Sequence, residues 1–267
     1  MLDALSPSDL SFAPKTSLYA FFRYLSQSTH AEYAEEDGLF RWHTQVPHPW
    51  FNGVICSRPP TGQDAQLIAD CIRYYQSRKV TMFSWWLQPE PPLSGWGAAL
   101  TEAKFRLNRD TPGMAVFLNA LRGDQPLLSG LQIQPVEDLK TLRTWTEVFM
   151  TGYGLPLSWA PFFYDLLAGV GLEFPLRYYL AFWNGQPVGA SSLFLDGVTA
   201  GIYNVAVLQE ARGKGVGTLL TVSPLREAQA FDCTLAVLQS SELGFKLYQR
   251  LGFEKVCDME NFYWREE

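Results

Sequence analysis

The chain has 267 residues, 47% of them hydrophobic and 18% charged, and a net charge of −6. That is enough apolar material for a packed core and too little charge for a disordered chain. The acidic balance argues against a nucleic-acid partner, because phosphate backbones want a cationic face. Cys56, Cys71, Cys233 and Cys257 form no C-x-x-C spacing, and His30, His43 and His48 form no metal pattern. A reduced, metal-free, cytoplasmic protein is therefore expected. The start "MLDALSPSDLSF" has no cationic stretch followed by an apolar core, and no apolar run approaches ~20 residues, so neither a leader nor a membrane span is expected.

In chain order, residues 50–118 read as strand, loop, helix, strand, helix, strand, strand. "FSWWLQPEPP" and "VPHPWF" are aromatic. They suit a core first and a shared cleft or interface second. "LRGDQPLLSG" at 121–130 carries Gly, Asp and Pro and marks a boundary. Beyond it, "GLQIQPVEDLKTLRTWTEVFM" opens with alternating apolar residues and continues as a helix with Leu139, Leu142, Trp145 and Val148 or Phe149 on one stripe. Residues 151–176 hold Tyr153, Trp159, Phe162, Phe163, Tyr164 and Phe174. Helix packing explains these rings best, and if they line an acceptor site they favour a partly apolar or aromatic amine. Three antiparallel strands follow, the first two joined at Asn184-Gly185, a two-residue hairpin signal. After "ARGKGVG" comes a helix that Pro224 is expected to bend or break. A short strand, a helix closed by Gly252 and two strands end the chain.

The order after Ile202 repeats that of the first half. "FNGVI" at 51–55 resembles "YNVAV" at 203–207, and nearly equal intervals separate Asn52 from Phe105 and Asn204 from Phe253. A fold duplicated in tandem is the reading. The copies differ after this strand: the second has "QEARGKGVG", the first "CSRPPTGQD". Two prolines remove two backbone donors, so the first copy is expected to lack whatever the glycine cluster binds.

A strand-to-helix loop leaves the first N–H groups of the helix unpaired, and with the helix dipole they favour an anion. Glycine admits positive φ and lets the backbone approach the anion closely. Arg212 and Lys214 add charge. The Walker pattern is absent and the dinucleotide fingerprint is not matched. The cluster reads as a phosphate or pyrophosphate cradle, with a tight exposed turn as the plain alternative.

R-x-x-G-x-G at Arg212–Gly217 after "YNVAV", with "LYQRLGF" some thirty residues later, resembles the GNAT family of acyl-CoA-dependent N-acetyltransferases over about residues 130–267. The resemblance implies an α+β fold of two tandem GNAT-like domains, each a mostly antiparallel mixed sheet with flanking helices. They would span 1–127, the degenerate copy, and 128–267. It implies acetyl-CoA as cosubstrate, no metal, and transfer of the acetyl group to an amine of a small molecule or peptide, with no membrane or nucleic-acid partner and room for a homodimer. Val205, Ala206 and Val207 would pair through their main chain with the pantetheine arm. Arg212, Gly213, Lys214, Gly215, Val216, Gly217 and Thr218 would wrap the pyrophosphate, and Ser240 would lie beside the cofactor.

Tyr248 matches the family's general acid, a phenol near ~10 facing a thiol near ~8.5; packing of its helix is the alternative. The base stays open. Tyr203 and Asn204 stand where family members often carry an acid, and neither is a good base. Glu242, Glu173 or no residue at all could serve. Ser240 and Ser241 could hold water or acceptor, although "SSEL" also reads as a helix N-cap. A longer acyl donor, or a catalytically inactive acyl-CoA-binding regulatory or interaction module, are the rival functions.

Overall fold

The computed structural model describes residues 6–62, 64–88, 95–109, 111–123 and 128–266. The first half runs α1 (Pro7–Leu25), β1 (Ala31–Glu36), β2 (Leu39–Thr44), β3 (Gly53–Cys56), α2 (Asp64–Ser77), β4 (Met82–Leu87), α3 (Trp96–Glu102), β5 (Arg106–Asn108) and β6 (Pro112–Phe117). The second runs β7 (Leu131–Pro135), α4 (Leu139–Tyr153), α5 (Ala160–Val170), β8 (Leu176–Trp183), β9 (Gln186–Asp196), β10 (Thr199–Val207), α6 (Val216–Ala228), β11 (Leu235–Gln239), α7 (Glu242–Arg250), β12 (Glu254–Asp258) and β13 (Asn261–Arg265). Two mixed, mostly antiparallel sheets with flanking helices result, and the element order expected from the sequence is found in both halves.

The sheets exchange a strand. The first has the order β1-β2-β3-β4-β13-β5 and the second β12-β6-β11-β10-β9-β8-β7. The last strand of each half therefore sits inside the sheet of the other, a pairing the strand order alone does not announce. Two crossovers carry this exchange and run side by side. Met259 N–H donates to the Thr111 carbonyl (2.8 Å), Asn108 Nδ2 donates to Asn261 Oδ1 (3.1 Å), and Arg109 pairs with Glu260 (3.1 Å). Close packing here depends on Gly113: a Cβ on it would meet Cys257 Sγ at 2.4 Å.

α1 joins the two sheets into one core. It starts with a capping box in which Asp9 N–H donates to Ser6 Oγ (3.2 Å) and Ser6 N–H to Asp9 Oδ2 (2.9 Å). Tyr19 and Phe22 pack on Trp86 and Trp42 of the first sheet, while Phe21 stacks on Tyr203 of the second at 4.4 Å. Leu18, Phe21, Phe22, Trp42, Phe194 and Tyr203 lie in the same buried cluster.

α6 runs unbroken through Pro224. Proline at this position leaves the Leu220 carbonyl without its helical donor. The buried Ser191 hydroxyl on β9 donates to that carbonyl at 2.8 Å, which explains why the expected break does not occur. Asn184 and Gly185 both take positive φ (50° and 78°) in the β8–β9 hairpin, as their sequence requires.

Candidate active site

β10 and β11 pair in parallel only from Thr199–Leu235 to Ile202–Leu238. Beyond Ile202, β10 stays paired to β9 on its other side, through a bulge between Tyr203 and Ala206, with Asn204 at φ 57°. The bulge turns the strand away from β11, so the second sheet opens into a V. On the β11 side, the main chain of Val205–Val207 has no ladder partner among the described residues.

At the end of β10 the chain makes a 3-10 turn, Gln209–Ala211, and reaches α6 through Gly213 (φ 72°) and Gly215 (φ 82°). Gly215 is the N-cap, and no side chain caps the helix. The first N–H groups of α6, at Val216, Gly217 and Thr218, are therefore those a helix leaves unpaired. The loop 212–215 is exposed, and a Cβ at Gly213 or Gly215 would meet nothing within 4 Å. The glycines are needed for the left-handed backbone and not for lack of room.

The two cations of the loop, expected to add charge beside the glycines, are both hydrogen-bonded to carbonyls of the chain. Arg212 donates to the Val207 carbonyl (Nε, 3.1 Å) and to the Gly152 carbonyl (Nη2, 3.0 Å), tying the end of β10 to the C-terminus of α4. Lys214 donates to the Glu210 carbonyl (2.8 Å), and its Nζ sits 4.0 Å from the centre of the Trp183 ring. Both act first as braces of the loop.

A cavity of ≈ 290 Å³ lies in the V. Its second-domain wall includes Tyr203, Asn204, Val205, Ser240, Ser241 and Tyr248. The opposite wall comes from the first half, with Phe22, Trp50, Phe51, Trp86 and Asn108, and from the crossovers, with Thr111, Met259 and Asn261. Asn261 stands in register with Trp86 on one side and with Asn108 on the other. The sequence read the runs that hold Trp50, Phe51 and Trp86 as core first and as a shared cleft or interface second. The structure puts all three on the cavity wall, and the sequence gave no reason to single out Asn108 or Asn261.

Tyr248 is buried on α7 with its ring against Gly244, where a Cβ would come within 2.8 Å of it. Burial pushes its phenol well above the ordinary tyrosine range, the nearby Tyr153 hydroxyl adds to this, and a hydrogen bond with Thr221 opposes it. Tyr153, at the end of α4, also lines the cavity. Burial pushes its hydroxyl up to about 12, although 41% of the residue remains exposed. Tyr203 is anchored elsewhere, its hydroxyl 2.8 Å from Ser17 Oγ on α1. Ser240 N–H donates to the Pro112 carbonyl and its hydroxyl to the Ser241 carbonyl. Ser241 caps α7, accepting from Gly244 N–H at 3.3 Å, as "SSEL" suggested. Glu242 is exposed in the first turn of α7 and Glu173 is exposed before β8; neither is among the described residues lining the cavity.

The first domain differs at both elements of the site. There β3 and β4 stay paired from Gly53–Ser84 to Cys56–Leu87, and Gln88 N–H continues the ladder onto the Cys56 carbonyl. The strand matched by sequence to Val205–Val207 is thus closed. In the loop before α2, the buried Asp64 carboxylate accepts from Thr61 N–H (3.1 and 3.0 Å) and Gly62 N–H (3.1 Å). An acid of the chain itself takes two backbone donors of this loop.

Residues 139–253 match the model of the acetyltransferase (GNAT) family. This segment is a GNAT acetyltransferase domain. No curated protein matches the chain in sequence. Among solved structures it is similar to a GCN5-related N-acetyltransferase from Kribbella flavida, with 16% identity, 95% of each chain covered and a TM-score of 0.69. It is also similar to one from Sphaerobacter thermophilus (17% identity, 99% and 94% covered, TM-score 0.59) and to a tandem GNAT protein from the clavulanic acid biosynthesis pathway (13%, 97% and 96%, 0.58). These likenesses establish a fold of two GNAT-like domains. Among the described residues no helix is long and apolar enough to cross a membrane, and no group of three or more His, Cys, Asp or Glu could hold a metal.

Proposed function

We propose that the protein transfers the acetyl group of acetyl-CoA to an amine, with the donor held by β10 and α6 and a proton supplied from Tyr248. The observation that carries this is the parting of β10 from β11 beside an uncapped helix N-terminus. An amide-bearing pantetheine arm fits the open edge at Val205–Val207 as an added strand would. A diphosphate fits the first N–H groups of α6, favoured by the helix dipole. Bound there, acetyl-CoA supplies an activated acetyl thioester.

The chain's own residues do the rest. Arg212 and Lys214 brace the glycine loop in its left-handed shape. Tyr248 holds its proton at Oη through the whole neutral range, because burial keeps the phenol un-ionised. A phenol that holds its proton so firmly acts first as a hydrogen-bond donor to charge building on the leaving sulfur. Full transfer follows where the same burial raises the thiol too. The neutral amine attacks from the side of the first domain: its nitrogen takes the acyl carbon that the sulfur gives up. The proton it sheds passes through water to the Tyr248 oxygen, restoring the phenol.

Calorimetry of acetyl-CoA binding and thiol release over a panel of amines test this reading. Binding with amine-dependent release supports it. Binding without release for any amine returns the protein to an acyl-CoA-binding module, and no binding removes the donor site altogether.

A further inference from the structure

The first domain closes its own donor site, yet it supplies a wall of the cavity in the second. Trp50 and Phe51 reach the cavity from the β2–β3 connection and Trp86 from β4. These rings are held in place. Trp50 packs edge-on against Tyr153 (5.6 Å) and beside His48 (4.6 Å), and Phe51 lies 4.7 Å from Phe163. Trp86 Nε1 already donates to Ser84 Oγ (2.8 Å), so Trp86 offers the cavity a ring and not a donor. Beside Trp86 stand Asn261 and Asn108, uncharged and in register.

Among the described residues lining the cavity none carries a charge at neutral pH. Its titratable groups, Tyr153, Tyr203 and Tyr248, are phenols that burial keeps protonated. A polyamine held in this cavity would be desolvated against no counter-charge, which is costly. A planar ring gains from stacking on the aromatic wall. The cavity volume of ≈ 290 Å³ also stands at the small end of ligand sites.

On the acetyltransferase reading above, we infer that the first domain is the acceptor-binding half of the protein, and that the acceptor is a small amine borne on an aromatic body. The ring lies against Trp50, Phe51 and Trp86, and the Asn108–Asn261 pair faces its neutral polar groups.

The test uses the full chain with 2-phenylethylamine, 4-aminobenzamide and spermidine as probes. Calorimetry measures their binding in the presence of CoA, and KM is read where turnover occurs. An aromatic probe is expected to bind at least tenfold tighter than spermidine. Trp50→Ala should weaken that probe tenfold or more while leaving CoA affinity and the melting temperature near wild type. Trp50→Phe should restore most of the loss. Because Trp50 is 41% exposed, its truncation does not empty the core; Trp86→Phe, which keeps a ring, gives a second reading from the sheet. Tighter spermidine binding, no aromatic binding to a protein that binds CoA, or an unchanged aromatic affinity in Trp50→Ala overturns the inference and leaves the donor site standing. Failure to bind CoA overturns the acetyltransferase reading itself.

Discussion

Replacing Tyr248→Phe separates chemistry from packing. The ring contacts survive: Phe keeps the surface on Gly244 and the edge-to-face contact with Phe253 at 5.9 Å. What is lost is one hydroxyl, which lies near Thr221. A single hydrogen bond is worth about 1 kcal/mol net, so the melting temperature should move by only a few degrees. If the phenol protonates the leaving sulfur, kcat should fall by about 10²–10⁴, which is about 2.7–5.5 kcal/mol of barrier. The kinetic effect should thus exceed the stability effect several-fold. The assay is thiol release at saturating acetyl-CoA and amine, with acetyl-CoA affinity measured alongside and expected unchanged. The raised phenol also predicts that wild-type kcat has no alkaline loss below pH ~10, the ordinary tyrosine range. A Phe variant within threefold of wild type, or an alkaline limb centred near pH 8 that vanishes in it, would refute the assignment.

Gly215→Ala should cost about 1–2 kcal/mol from its left-handed φ of 82° alone, since the new Cβ meets nothing; it should also weaken acetyl-CoA tenfold or more. Gly62→Ala, with the same φ and the same open space in the first domain, should lose similar stability and leave acetyl-CoA affinity unchanged. Ser191→Ala strands the Leu220 carbonyl inside α6 and should cost about 1–3 kcal/mol by denaturant melts, part of which Pro224→Ala recovers by returning an N–H. His48 is pushed down by burial to about 4 from the usual ~6.5. The unfolded chain therefore binds the proton first, and stability should fall as pH drops from about 6.5 to 4. The loss should be about 1–3 kcal/mol, the partly exposed ring trimming the full shift. His48→Phe should flatten that limb in melts run from pH 7 to 4.

The sequence by itself determined the local elements of the donor site. A strand, then glycines at positions needing positive φ, then a helix start is a short-range pattern, and Gly213, Gly215 and "SSEL" each folded as their own chemistry requires. The contrast with "CSRPPTGQD" was legible for the same reason. Only the tertiary structure decided where β6 and β13 go. "NFYWR" carries three consecutive aromatics that suit a strand inside either sheet, and strand pairing far along the chain is set by which partner strands lie nearby. That exchange, with α1 between the sheets, brings Trp86, Asn108 and Asn261 to Tyr248. It also decided the partners of Arg212, a cation that looks free in sequence and is bound to carbonyls of β10 and α4 in the fold. Backbone geometry within a loop depends on the residues of that loop, whereas a cleft between two sheets depends on pairings that no short stretch encodes.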